Sequence, residues 1–388
     1  MHPGSRFSPR AALTALLLGW LTLRTSRAES AVEYKYQDYH ELGGRIEVRT
    51  QGALIEQELG TDWRLKLEGV IDAIAGATPN GQPAPAGSTE VPLSVMHDRR
   101  KAWNAELSRQ LQRISLSAGF ANSRESDYVS NGWSLNTQTD FNEKNTRLLA
   151  GIAGTADEVN VFYLPGLHRA SKHTNDAILG VTQLLNPLTA LTVNVAWGGQ
   201  RGYLSDPYKL VLKRIEVLPG VFLPTTFAEN RPGLREKWTF FSQLNRKFVG
   251  LNGAAEASYR YYTDNYDVTA HTVELAWYQH VGKHVVLRPV FRFHDQTAAR
   301  FYHYDLNTTS LVPTFGVPLR QGPFYSSDYR LSALQTTRLG LKVVWDITDR
   351  LRVDAALEAY TMRGTGPDTP QSAYPKARIV TIGARYAW

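Results

Sequence analysis

Trp63-Arg64-Leu65-Lys66-Leu67-Glu68-Gly69-Val70-Ile71-Asp72 changes character at nearly every residue, apolar or small on one parity and mostly charged on the other. Successive side chains of an extended chain point to opposite faces, so this stretch reads as a strand with one face in an apolar medium and one in water. The same alternation returns in Leu191-Thr192-Val193-Asn194-Val195-Ala196-Trp197 and in Leu351-Arg352-Val353-Asp354-Ala355-Ala356-Leu357-Glu358. Runs of about 10 to 13 residues suit a tilted membrane-crossing strand and exceed the usual soluble one.

Marking every such run predicts roughly sixteen strands: 33–39, 45–57, 62–74, 98–109, 113–122, 128–139, 146–156, 176–185, 189–199, 235–246, 252–262, 268–279, 285–297, 330–345, 350–362 and 377–388. The gaps between them sort by parity. Those at 58–61, 110–112, 140–145, 186–188, 247–251, 280–284 and 346–349 are short, whereas 75–97, 157–175, 200–234, 298–329 and 363–376 are long and rich in Gly, Pro and polar residues. Short periplasmic turns and long outer loops are the habit of outer-membrane barrels, and a soluble sandwich has no reason to sort its loops this way. The expectation is an all-β chain: one transmembrane, antiparallel, up-and-down β-barrel of about sixteen strands, spanning 29–388.

The chain ends on Val380-Thr381-Ile382-Gly383-Ala384-Arg385-Tyr386-Ala387-Trp388, an alternating strand closed by an aromatic. Tyr386 and Trp388 look like the C-terminal signature by which bacterial barrels are recognised for membrane insertion, so the lipid bilayer and the barrel-insertion machinery are expected partners. Trp63, Trp103, Trp197, Trp277 and Trp345 near strand ends fit two interfacial girdles, since amphipathic rings settle at the headgroup level.

At the other end, Arg6 and Arg10 precede the apolar run Ala11 to Leu23, and Ser26-Arg27-Ala28 follows. This is the layout of a secretory signal peptide cleaved after Ala28, and the run falls short of the roughly 20 residues a membrane helix needs. Residues 1–28 hold four arginines and no acid, so their removal lowers the formal charge from +7 to +3. The apparent basicity is then mostly an export signal, and nucleic acid is not an expected partner. The chain has no cysteine, which excludes disulfides, thiolate metal sites, attached c-type haem and a cysteine nucleophile.

Several segments resemble an uncharacterised family of bacterial outer-membrane proteins that carries only a domain-of-unknown-function label. They are Asp72-Ala73-Ile74-Ala75-Gly76-Ala77-Thr78-Pro79, Glu125-Ser126-Asp127-Tyr128, Asp140-Phe141-Asn142-Glu143-Lys144-Asn145-Thr146, Gly202-Tyr203-Leu204-Ser205-Asp206-Pro207-Tyr208-Lys209, Glu229-Asn230-Arg231-Pro232 and Ser258-Tyr259-Arg260-Tyr261-Tyr262. The resemblance implies a barrel and an exported location without an established activity. It also implies genomic neighbours of the exported thioredoxin-like and flavin-transferase kinds, hence a link to an extracytoplasmic redox system. Ala75 stands where the family pattern has Ser, and Leu210 to Phe227 is more apolar than the pattern suggests.

The alternation assigns an inward, water-facing set: Arg64, Lys66, Glu68 and Asp72; Glu256 and Arg260; Arg288, Arg292 and His294; Arg352, Asp354 and Glu358. A wall of paired charges is the simplest account, because a charge turned to lipid costs about 2 to 4 kcal/mol at the midplane. A ring selecting permeant ions is the functional alternative. Among loop residues, Ser205, Asp206, Tyr208, Lys209 and Arg231 stand out. Ser205-Asp206-Pro207-Tyr208 reads first as a turn, with binding by Asp206, Tyr208 and Lys209 as the other option. Arg231 reads as a salt-bridge partner for a barrel-wall carboxylate. The apolar stretch Leu210 to Phe227 can fold inward as a constriction or pack against neighbouring loop rims, with 298–329 as the rival constriction.

No GxSxG elbow and no HExxH zinc motif occurs, and His294 and Asp295 point to opposite faces of one strand. Neither enzymatic activity nor a cofactor or metal is expected. Asp127, Asp264 and Asp267 can each ligate calcium, although no spaced acidic repeat supports it. The resulting expectation is a channel or barrel scaffold tied to a redox assembly. Loop-mediated binding or adhesion is the main alternative, and an outer-membrane hydrolase the lesser one.

Overall fold

The computed structural model describes residues 30–164, 167–313, 315–316 and 321–388; the expected signal peptide lies outside the described residues. Its first nine strands are β1 (Ala31–Glu41), β2 (Glu47–Leu59), β3 (Trp63–Pro79), β4 (Leu93–Leu111), β5 (Ile114–Arg124), β6 (Tyr128–Phe141), β7 (Thr146–Leu164), β8 (Leu167–Asn186) and β9 (Thr189–Gly202). A separate hairpin, β10 (Leu210–Leu218) and β11 (Val221–Ala228), follows. The remaining strands are β12 (Leu234–Phe248), β13 (Gly253–Asp264), β14 (Thr269–Val281), β15 (Val285–Gln296), β16 (Leu334–Asp346), β17 (Leu351–Gly364) and β18 (Lys376–Ala387). All except β10 and β11 form one closed antiparallel barrel of sixteen strands, each paired with its sequence neighbour and sealed by β1 against β18.

Closure follows from the solvent. Hydrocarbon offers no partner to an unpaired N–H or C=O, so a membrane sheet has to join its own edges. The seam runs from Ala31 opposite Ala387 to Glu41 opposite Ala377, and the Trp388 N–H reaches the Ser30 carbonyl at 2.9 Å. Tyr386 lies between Val32 and Leu351 on the outer face, where it and Trp388 are exposed.

The outer parity of the strands carries exposed Leu67, Ile71, Phe120, Leu135, Ile152, Leu179, Leu339 and Leu357. So much uncovered apolar surface is incompatible with water and defines the lipid-facing band. The buried apolar clusters all lie at the outer, long-loop end. They gather Val211, Phe227, Leu306 and Tyr325; Val91, Tyr329, Leu334, Ala373 and Tyr374; Tyr266, Val268, Ala299, Phe301 and Leu331; and Tyr128, Val159, Val161 and Tyr203. The barrel turns its hydrophobic face to the membrane, and the loops keep a water-soluble kind of core.

Strand ends depart from expectation on the outer side. β3 runs five residues beyond the predicted end, β4 begins at Leu93 instead of 98, and β7 and β8 extend to Leu164 and from Leu167. These segments stand above the bilayer, where neither face meets lipid and the alternation that marks a membrane strand is not required. The hairpin inside 200–234 was likewise invisible to a lipid-based pattern.

Register gives a direct test. Leu135, near the middle of β6, is exposed on the outer parity, whereas Asn136 faces Ser117 and Gly151 on the inner one. Leu135→Arg is expected to destabilise the refolded barrel by about 2 to 4 kcal/mol, and Asn136→Arg by clearly less. Denaturant titrations in lipid vesicles decide it, and equal losses at both positions would contradict the assigned faces.

Candidate functional site

Segment 203–209 leaves β9 and travels to Pro79 at the top of β3. Two features start it. Gly202 has φ +122°, with its Cα against the Ser171 carbonyl so closely that a Cβ would collide. Asp206 then folds the chain back: its Oδ1 accepts the Tyr208 N–H at 3.0 Å, and its carbonyl accepts the Lys209 N–H at 3.1 Å. The turn delivers the buried Lys209 ammonium to the Pro79 carbonyl at 2.5 Å. Tyr208 is sent sideways, where its hydroxyl donates to Asp127.

The return strand of the hairpin brings Glu229, Asn230 and Arg231 beneath this turn, and Glu229 and Asn230 have no exposed surface. Asn230 exchanges backbone hydrogen bonds with Tyr325, which locks 203–233 to the loop between β15 and β16. Glu229 accepts from the Asp206 N–H and, at 2.5 Å, from Ser326 Oγ. Arg231 Nε stands 2.6 Å from Glu229, and its Nη2 reaches Asp328 at 2.8 Å. Asp328 caps the turn Tyr329–Leu331 by accepting the Arg330 N–H, while Arg330 Nη2 spans Asp328 at 2.6 Å and Asp206 at 3.0 Å. Ser205 Oγ accepts the Arg231 N–H at 3.1 Å. Asp206, Glu229 and Asp328 are thus matched by Lys209, Arg231 and Arg330 in a buried latch whose charges cancel when all six groups are ionised.

Burial works on each member. It pushes the Glu229 carboxyl up to about 7 against the pull of Arg231. It also works to raise Asp328, yet Arg330 and Arg231 hold that carboxyl well below the usual range, and it lowers Lys209 against Asp328 and Asp206.

The latch is the centre of a larger cap. Arg45 donates to the Ser372 and Ala373 carbonyls, Ser372 Oγ donates to Thr89 O, Ser327 Oγ donates to Leu210 O, and Tyr302 meets Thr369. Segments 42–46, 80–92, 203–233, 297–313, 321–333 and 365–375 therefore interlock at the mouth. The base of the β10–β11 hairpin packs on Leu306 and Tyr325, while Leu218, Val221, Phe222 and Leu223 at its tip are exposed. Of the two sequence readings, packing against a neighbouring loop is seen at the base of this hairpin. Arg231 corrects another expectation, since its carboxylates belong to the loops and not to the barrel wall.

Below the cap the lumen has two unlike walls. On β5 to β7, Ser117, Gly119 and Ala121 face Asn136, Ser134 and Gly132, which face Gly151, Ala153 and Thr155. The opposite wall, β13 to β17, carries long charged chains. Arg288 pairs with Glu256 at 3.2 Å, Arg338 with Glu274 at 3.1 Å and Glu358 at 3.5 Å, and Arg292 with Glu274 at 3.8 Å. Lower down, Lys342 meets Asp354 at 3.0 Å and Arg352 meets Asp346 at 2.6 Å. Ala276, Val290 and Gly340 form one small row across this wall, and the Glu358 side chain lies against Gly340. Arg260 and His294 share a row with Thr272. Elsewhere Asp72 pairs with Arg100 at 2.5 Å and Arg64 with Glu58 at 3.1 Å; Lys66 lies opposite Glu56 and Glu106, and Glu68 opposite Asn104.

Sequence reasoning singled out Ser205, Asp206, Lys209 and Arg231, which the fold brings together, and Tyr208, which it sends elsewhere. Ser326, Asp328 and Arg330 were missed. Their segment, Ser327-Asp328-Tyr329-Arg330, repeats the Ser-Asp start and following cation of Ser205-Asp206-Pro207-Tyr208-Lys209, which is the signal that was available. The calcium candidates do not converge: Asp264 binds Arg235 and the turn amides of Tyr266 and Val268. Asp127 instead lies with Asp98 and Glu125, their carboxylates within 4.8 Å of one another, an arrangement able to hold a cation.

A closed antiparallel barrel with a lipid-facing apolar band, a polar lumen and a loop cap is an outer-membrane β-barrel protein. The chain belongs to the family described as protein of unknown function (DUF3570), which matches residues 20–167 and 166–376. Among solved structures it is similar to a bacterial polysaccharide outer membrane secretin, with 10% identity, TM-score 0.48, and coverage of 92% of this chain and 98% of that one. It is also similar to the CymD monoaromatic hydrocarbon channel, with 10% identity, TM-score 0.44 and coverage of 97% and 92%. For the outer-membrane expressed OmpT of Vibrio cholerae the values are 10%, 0.44, and 95% and 100%. No curated protein matches the chain.

Two predictions follow from the latch. Arg231→Ala strands Glu229, leaves Asp328 with Arg330 alone, and is expected to cost the closed cap roughly 3 to 5 kcal/mol. Hydrogen exchange should show lost protection in 203–231 and 323–331 with the barrel amides unchanged, and full protection in the variant would refute the latch.

The second concerns pH. Glu229 is raised from 4.5 to about 7 in the closed latch, so between those values the closed form keeps a proton that an opened, solvated form releases. This contribution to closure is complete below 4.5 and declines as pH climbs to about 7. The Asp328 contribution is lost only in stronger acid and stays constant across that window. Loop protection, corrected for intrinsic exchange, should be greater at pH 5 than at pH 8, and Glu229→Gln should flatten the difference; a pH-dependence surviving in that variant would assign it elsewhere.

Proposed function

We propose that the protein is a passive conduit for small hydrophilic solutes across the outer membrane of a Gram-negative bacterium, narrowed at its outer mouth by the latched cap. The observation that supports it most is the accessibility of the inward charges beneath the cap. Arg288, Arg292, Arg338, Lys342 and Arg352 keep 24 to 35% of their side-chain surface exposed although they are ion-paired. A lumen packed for support alone would bury such groups, whereas a hydrated passage keeps them wet. Among the described residues, everything outside the strands is a turn, a loop or a three-residue 3-10 helix, with no separate plug domain.

Single-channel recording of the refolded protein in a planar bilayer tests the reading. Conductance is expected from the wild-type chain, with a larger open fraction in Arg231→Ala and after removal of Leu210–Ala228. Silence in all three would overturn it.

The link to exported thioredoxin-like and flavin-transferase proteins belongs to the same proposal. Without cysteine the chain has no thiol to exchange, so its share in such an assembly is passage or docking. A second reading, loop-mediated binding or adhesion, is favoured by one specific feature: the apolar tip Leu218, Val221, Phe222 and Leu223, each more than half exposed.

A further inference from the structure

The charged wall is not balanced along its height. Glu256, Glu274 and Glu358 are all engaged by Arg288, Arg292 and Arg338. One step toward the outer end, the row Arg260, Thr272, His294 and Thr336 contains no carboxylate. Among the described residues Arg260 meets Thr272 Oγ1 at 3.5 Å and has no acid within ion-pair distance, although a guanidinium offers five donors. Arg292, one row below, holds its glutamate only at 3.8 Å.

Hydrogen bonding shows why Arg260 is presented in this way. Gln296 spends its amide N–H groups on the Arg330 carbonyl at 3.0 Å and the Ser332 carbonyl at 2.9 Å. Its Oε1 is therefore left to accept from His294 Nε2 at 3.3 Å, which makes Nδ1 the acceptor on the other side of the ring. The Thr272 hydroxyl must then donate to Nδ1, at 2.8 Å, and its lone pairs turn to Arg260. The chain from Gln296 through His294 and Thr272 forms a fixed shelf under a guanidinium whose other donors face the lumen.

We propose that Arg260, on the shelf made by Thr272 and His294, and Arg292, one row below it, form an oxyanion-binding station in the lumen that admits small carboxylates and phosphates and biases passage toward anions. The planar fork of a guanidinium matches two oxygens of such a group, and two forks in adjacent rows provide for both ends of a short dianion or for several oxygens of one phosphate. The opposite wall of Ser, Gly, Ala and Asn leaves room for the solute and adds no competing charge. As a selectivity element the station rests on the conduit reading; as a binding site it stands by itself.

The experiment has two arms so that the two ideas can fail separately. In a planar bilayer under a KCl gradient, the reversal potential is expected to report anion preference, which Arg260→Gln/Arg292→Gln should abolish. In detergent, inorganic phosphate titrated onto the full refolded chain is expected to bind saturably, and at least about tenfold more weakly to the double variant. Thr272→Val keeps both cations and removes the shelf under Arg260, so it should weaken phosphate without reversing ion preference; heat-modifiable mobility verifies that each variant is folded. Conductance without anion preference, or with a preference unchanged in the double variant, overturns the station as a selectivity element and leaves the conduit. Saturable phosphate binding lost in the variant, in a barrel that does not conduct, supports the station and overturns the conduit. Absence of saturable phosphate binding overturns the station whatever the conductance.

Discussion

Everything in this molecule is subordinate to a solvent that cannot hydrogen-bond. Hydrocarbon leaves the backbone responsible for its own donors and acceptors, and the only sheet that satisfies this has no edge. Once β1 meets β18, the inside and outside of the sheet become different chemical worlds. Leu, Phe and Trp are then free to be exposed on one parity, and Arg, Glu and Asn are obliged to take the other. The charged lumen wall is thus a consequence of closure before it is a device for selecting anything. A polar side chain has nowhere else to go, and selection arises from how unevenly the charges are spread.

The cap obeys the opposite rule. Above the bilayer the chain is back in water, and it builds clusters around Tyr325, Tyr329 and Phe301 of the kind found in soluble proteins. Within them lies a matched set of three acids and three bases. Buried ion pairs contribute little net stability compared with apolar residues of the same volume, but breaking one side of them is expensive. Their effect is positional: Arg231 is satisfied only when 229 and 328 are both in place, and Arg330 only when 206 and 328 are. Lys209 reaches Pro79 only if the turn at Asp206 has formed. The latch specifies one arrangement of several loops.

This division explains what the sequence discloses. Trp63 to Asp72 reveals a membrane strand because lipid imposes the alternation residue by residue, and gap lengths reveal the direction of travel. The inward parity of Arg260, Arg288 and Glu256 is therefore readable. Their partners are only partly so, because the Arg338 contact with Glu274 depends on register and on the small row at Ala276, Val290 and Gly340 that makes room for it. Above the membrane the code lapses. The extra length of β3, β7 and β8 and the β10–β11 hairpin have no lipid to answer to. Arg231 was read as a partner for the barrel wall because nothing local says that Asp328 will be at hand. Family-like segments drew attention to Asp206, Lys209 and Arg231, and only the repeated Ser-Asp of 327–328 marked the other half.

The latch also dictates an order of events during assembly. Asp206 and Arg330 are 124 residues apart, and the intervening chain contains β12, β13, β14 and β15. Four strands must be laid into the wall before the two halves of the latch can be held near each other, and loop closure over such a distance is slow unless the barrel itself brings the ends together. The latch accordingly cannot close before those four strands are in place. The shape of the entrance is therefore set by residues that sit far apart along the chain and are brought together only by the strands laid down between them.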